Sequence, residues 1–111
     1  MTEPGHVQVL TSVSNRDEAA AIADALVGAR LAACVQVAGP VHSRYRWQGR
    51  VESAEEWLCL VKTTGALAER AVAEIARLHS YDTPEIIVTP IVAGWAPYLA
   101  WIDSEVADGA P

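Results

Sequence analysis

The sequence predicts a single α+β domain with the element order β-α-β-β-α-β-α, on three observations. Its 111 residues suffice for one hydrophobic core and are too few for two. Apolar residues alternate with a period of two in some segments and recur at helical spacing in others. Between those segments stand chain-turning groups: Ser14-Asn15, Gly39-Pro40, Gln48-Gly49 and the stretch from Ser80 to Pro84.

The elements follow in order. Val7 to Val13 is short, rich in β-branched residues and bounded by Ser14-Asn15, so it reads as the first strand. Asn15 then offers a helix cap with a carboxylate, Glu18, three residues on, and Ala19, Ile22, Ala23 and Leu26 trace the apolar face of a helix ending near Gly28. From Ala32 to Trp47 a long strand is expected, interrupted by a bulge or bend at Gly39-Pro40. After the turn at Gln48-Gly49 a second long strand runs from Arg50 to Thr63, and Trp57 to Val61 is apolar at both parities, as in a central strand covered on two faces. The stripe Leu67, Ala71, Ile75 and Leu78 predicts a second helix from Gly65 to His79, stopped before Pro84. Glu85 to Val92 is a further strand despite Pro90, and Ala96-Pro97 starts a last short helix with Tyr98, Leu99, Trp101 and Ile102.

The first six elements match the split βαβ order of the ferredoxin-like fold, extended by a C-terminal helix. The domain is expected over residues 7–106, with a flexible N-terminus at 1–6 and a flexible tail at 107–111. The two long strands form a hairpin of up to about 14 residues per arm, which at roughly 3.3 Å each makes a ribbon of about 45 Å. A domain this small has too little chain to cover the ribbon's tip, so another body must do so.

Charge and composition narrow the partners. Fourteen acidic residues against eight basic ones give a net charge of −6, the wrong sign for a phosphate backbone. The fold is shared with RNA-recognition modules, but the aromatic and basic sheet motif they need is missing. No apolar run approaches the roughly 20 residues that span a bilayer, and the first residues have no signal-peptide pattern, so no membrane partner and a cytoplasmic location are expected. Cys34 and Cys59 are expected as free thiols in apolar strand patterns. No nucleophile with base and orienting group, phosphate loop or GxSxG motif is present, and the chain is expected not to be an enzyme.

Five short words, in this order and spacing, resemble the CutA family: Leu31-Ala32-Ala33-Cys34-Val35, Tyr45-Arg46-Trp47-Gln48-Gly49, Lys62-Thr63-Thr64, the run from His79 to Ile86, and Tyr98-Leu99-Ala100-Trp101-Ile102. The resemblance covers essentially all of Val7 to Val106. It implies a ferredoxin-like protomer in a tight homotrimer, similar in architecture to PII-type signalling proteins, and a role in tolerance to divalent cations, notably copper. No cofactor is required on this reading, and a divalent metal such as copper is the candidate ligand. The alternative is a PII-like small-molecule sensor or signalling scaffold that binds its ligand in clefts between subunits.

Two departures from the family pattern bear on the site. Ser80 stands where the family usually has the proline of His-Pro-Tyr, which removes one conformational restraint. Some bacterial members are linked to metal through a Cys late in the first strand and a His pair ending the second helix, and the matching positions here are Thr11 and Leu78, leaving His79 alone. His79 is accordingly the one candidate metal ligand, against a structural role at the helix end. The family places the turn after the second helix near a subunit cleft, and the residues expected to line it are Tyr45, Trp47, Lys62, Tyr81, Asp82, Glu85 and Trp101. The aromatic members of that set are equally suited to anchoring an interface.

Overall fold

The computed structural model describes residues 3–108. Its elements are β1 (His6–Val13), α1 (Arg16–Gly28), β2 (Cys34–Trp47), β3 (Arg50–Thr64), α2 (Ala68–Leu78), β4 (Ile86–Pro90) and α3 (Ala96–Glu105), with a 3-10 turn over Gly65–Leu67 leading into α2. The strands form one sheet in the order β2-β3-β1-β4, and every neighbouring pair is antiparallel. This is the ferredoxin-like topology with one added helix.

The core lies on one face of the sheet. Val7, Val9 and Val13 alternate along β1 and meet Cys59 and Val61 of β3, and Ile22 and Leu26 of α1 and Ile75 of α2 close over them. Asn15 caps α1 through its Oδ1, which accepts from the Glu18 N–H at 2.8 Å, a contribution of about 1 kcal/mol. Ile102 of α3 and Val106 complete the same cluster from the C-terminal end. On the opposite face Leu10, Leu58 and Leu60 are only half-buried, and Ile87, across from Leu10, is 45% exposed.

β3 bonds to β1 only from Trp57 to Thr64, whereas β2 follows it out to the hairpin turn at Arg50. The outer hairpin is therefore a two-stranded ribbon, and the longest dimension of the molecule is 43 Å. Gln48 and Gly49 both take left-handed backbone, φ 51° and 80°, as a tight two-residue hairpin turn requires. The register shifts between Ala38 and Val41, where the expected bulge falls at Gly39-Pro40. Glycine is needed there: a Cβ on Gly39 would lie 2.8 Å from the Trp57 ring, and the Arg16 guanidinium sits 5.8 Å over that ring.

Several expected boundaries move. His6 belongs to β1 rather than to a flexible leader, because the Ile91 N–H donates to its carbonyl and its ring bonds to Asp103. Ala107 is tied by its N–H to the Arg30 carbonyl at 2.8 Å, so it is not part of a loose tail; residues 109–111 of that expectation lie outside the described ones. β2 begins at Cys34 rather than Ala32, because the chain leaving α1 first donates N–H groups back to Leu26. β4 stops at Pro90 rather than Val92, and it is an edge strand, where a residue lacking an N–H is tolerated.

The Gly39 contact yields a test. Gly39→Ala forces the Trp57 ring to shift, and we expect a loss of about 1–3 kcal/mol, read as a lower denaturant midpoint at unchanged slope; an unaltered midpoint would show the ring to be free to move.

Candidate functional site

A cavity of about 630 Å³ lies between the hairpin and the turn that follows α2. β2 contributes Tyr45 and Trp47 with Ser43 and Arg44, β3 contributes Glu56, and the turn contributes Tyr81, Asp82, Thr83 and Glu85, with Ser12 at the end of β1. The site depends on the ribbon running past β1: beyond Trp57 no third strand occupies the space beside β3, and the 81–85 turn borders it instead.

Five of the seven expected cleft residues converge here: Tyr45, Trp47, Tyr81, Asp82 and Glu85. Lys62 does not, because it is registered opposite Cys34 at the far end of β3, where its Nζ donates to Gln36 Oε1 at 2.9 Å. Trp101 does not either; it lies on α3, stacked on Tyr98 with ring centroids 5.6 Å apart. Of the five lining residues not expected from sequence, Ser12, Ser43, Arg44, Glu56 and Thr83, the most unusual is Glu56. Although charged, it is only 7% exposed, and its Oε2 accepts from the Tyr81 hydroxyl at 2.8 Å. Burial, followed by that hydrogen bond to Glu56, pushes the Tyr81 phenol well above its usual range, so Tyr81 remains a donor.

Behind the cavity wall, Glu18 joins the start of α1 to the end of α2. Its carboxylate accepts from the Ser80 N–H at 2.9 Å, the Ser80 hydroxyl at 3.0 Å and the Ser14 hydroxyl at 3.0 Å. Burial alone would raise its pKa, but the bonds from Ser80 and Ser14 together outweigh burial and hold it below its ordinary value. Ser80 thus regains by hydrogen bonding the restraint that a proline would supply by its ring, since proline has no N–H to offer.

His79 is not available as a metal ligand. Its side chain is fully buried, Nε2 bonds to the Ser12 carbonyl at 2.8 Å, and Nδ1 accepts from the Tyr81 N–H at 3.1 Å. The partners assign the proton to Nε2 and leave neither nitrogen a free lone pair. Its role is to end α2 and seat Tyr81, against which its ring packs with centroids 4.9 Å apart. Thr11 is sealed in the core beside Cys59, and its Oγ1 is the one buried side-chain polar atom without a partner among the described residues. Among the described residues no three His, Cys, Asp or Glu side chains converge as a metal would need. The residues do not fit a copper centre on a single chain.

Both cysteines are free. Cys59 is buried and donates to the Ala19 carbonyl at 3.6 Å, and burial, then the nearby Glu18 charge, pushes its thiol up to about 11. Cys34 is half-buried on the opposite face of the sheet.

Comparison with known proteins agrees with this geometry. The family model described as CutA1 divalent ion tolerance protein matches residues 7–105. The chain belongs to the CutA1 family. A divalent-cation tolerance protein CutA of Thermus thermophilus is 44% identical over 94 residues, covering 85% of this chain and 91% of the relative. The chloroplastic CutA of Arabidopsis thaliana is 36% identical over 96 residues, 86% of this chain, but the match spans only 53% of that longer protein. The crystal structure of CutA from Xylella fastidiosa superposes with a TM-score of 0.90 at 33% identity, covering 93% of this chain and 99% of that one. Among the described residues no helix is long and apolar enough to cross a membrane.

For this CutA1 chain the Glu18 clamp predicts a pH dependence. A carboxyl group whose folded pKa is depressed stabilises the fold above its unfolded pKa and loses that contribution as pH falls through the folded value. Wild type should therefore exceed Glu18→Gln in denaturant midpoint at neutral pH, and the gap should narrow as pH drops below the ordinary value of 4.5. A gap independent of pH would show that the clamp does not depend on charge.

Proposed function

We propose that the chain works as a homotrimer in divalent-cation tolerance, copper included, and that it acts by binding and assembly without a catalytic step. The observation that supports this reading is the outer hairpin. Past the end of β1 it has no third strand, and it leaves Tyr45, Trp47 and Val51 at 43%, 45% and 58% exposure. Such rings and branched side chains favour a protein partner, and the half-buried leucines of the open sheet face supply a second apolar surface for it. Three copies shielding each other's ribbons satisfy both surfaces in a closed symmetry.

Copper, on this reading, would draw ligands from more than one copy, because His79 is committed and no ligand set converges on one chain. The cytoplasm suits the chain, since two unpaired cysteines fit a reducing compartment. A net charge of −6 gives no purchase to nucleic acid.

A second reading is favoured by the cavity itself. About 630 Å³ walled by aromatic rings and polar groups has the size and make-up of a small-molecule site. It supports a PII-like sensor whose ligand sits where the hairpin meets a neighbouring copy.

Light scattering at micromolar concentration should give a three-chain mass, and Trp47→Asp should lower it while circular dichroism stays unchanged, since that ring is half-exposed in the single chain. A wild type that scatters as a monomer would overturn the assembly.

A further inference from the structure

We propose that the cavity between the hairpin and the 81–85 turn takes an organic cation, a primary ammonium or guanidinium, with Glu56 as its counter-charge. The inference rests on the small-molecule reading of that cavity and names the class of ligand.

Glu56 is the starting point. It is 7% exposed, yet among the described residues no Lys, Arg or His lies within ion-pairing distance of it. One of its oxygens, Oε2, accepts from Tyr81, whereas Oε1 has no hydrogen-bond partner among the described residues. Oε1 is not a sealed-off atom of the core either. It belongs to a residue that lines the cavity. A carboxylate withdrawn from water with one neutral donor and no cation is costly unless something supplies the missing charge.

The walls suit a cation. Tyr45, Trp47 and Tyr81 present rings around the same space, and aromatic faces attract ammonium and guanidinium groups, more strongly where water is excluded. Asp82 and Glu85 add two further carboxylates, and Arg44 is the single cation of the lining. Arg44 is exposed and makes no ion pair among the described residues, and three carboxylates against this one cation leave the lining net negative. The Tyr81 hydroxyl, held as a donor on Oε2, leaves Oε1 as the acceptor that faces the ligand. A bare divalent metal fits less well, because Glu56, Asp82 and Glu85 line the cavity without converging as a ligand set among the described residues.

The test is calorimetric titration of the wild-type protein with agmatine, which has a guanidinium at one end and an ammonium at the other, beside AMP as an anion of similar size. Light scattering is recorded on the same samples. Agmatine should bind and AMP should not. Glu56→Gln keeps an acceptor for Tyr81 and removes the charge, and it should weaken agmatine by about tenfold or more, as loss of a charge-assisted hydrogen bond does. Asp24→Asn removes one charge from the exposed face of α1 and should leave the affinity unchanged. The inference is overturned if agmatine fails to bind, if AMP binds as well, or if Glu56→Gln and Asp24→Asn weaken it equally. A trimer without agmatine binding refutes the ligand class and leaves the assembly standing, whereas a monomer that binds agmatine through Glu56 refutes the assembly alone.

Discussion

β3 hydrogen-bonds to two strands over its second half and to one strand over its first. From Trp57 to Thr64 it is the centre of a sheet with helices packed on one face, and its residues there alternate between core and open face. From Arg50 to Glu56 only β2 accompanies it. Two-stranded ribbons are marginal in water by themselves, so this half depends on contacts beyond its own two strands, and within the chain the 81–85 turn supplies some of them. The buried Glu56 sits at the changeover between the two halves, and the cavity extends from there along the ribbon to Tyr45 and Trp47.

The changeover is braced from the helix side. Glu18 accepts from Ser80, His79 bonds to the Ser12 carbonyl and to the Tyr81 N–H, and Tyr81 donates to Glu56. These bonds form a continuous series from the first turn of α1 to the ribbon. Together they hold the Tyr81 backbone through His79, and the Tyr81 ring between the His79 ring and Glu56. This explains how residues in a turn, ordinarily the mobile part of a domain, can present a defined wall. It also accounts for the buried histidine by backbone hydrogen bonds alone, in a chain of the CutA1 family.

Much of the architecture was legible in the chain. The β-branched run of β1, the Asn15 cap with Glu18 three residues on, the bend at Gly39-Pro40 and the Gln48-Gly49 turn are local signals, and local physics decides them. The edge position of β4 was foreshadowed by Pro90. What local signals could not show was pairing across the fold. Lys62 and Glu56 lie on the same strand, and only register separates the one at Cys34 from the one at Tyr81. Glu56 itself reads as one charge among several in an acidic stretch, Glu52, Glu55 and Glu56, and nothing in the spacing shows which is buried. The alternation does place Glu56 and Leu58 on the same face of β3, which was the one available hint. For His79 the sequence offered two roles, metal ligand or helix-end structure, and only the backbone groups that claim its two nitrogens favour the structural one.

The two thiols lie on opposite sides of a single sheet and differ in burial. Cys59, enclosed beneath α1 with its proton held tightly, is inert toward alkylating reagents near neutrality. Cys34, opposite Lys62 on the other side and near Tyr98 of α3, is half-buried in the single chain. The molecule thus has a built-in attachment point for a fluorophore, and dye placed there would report directly whether that side of the sheet faces water or another protein.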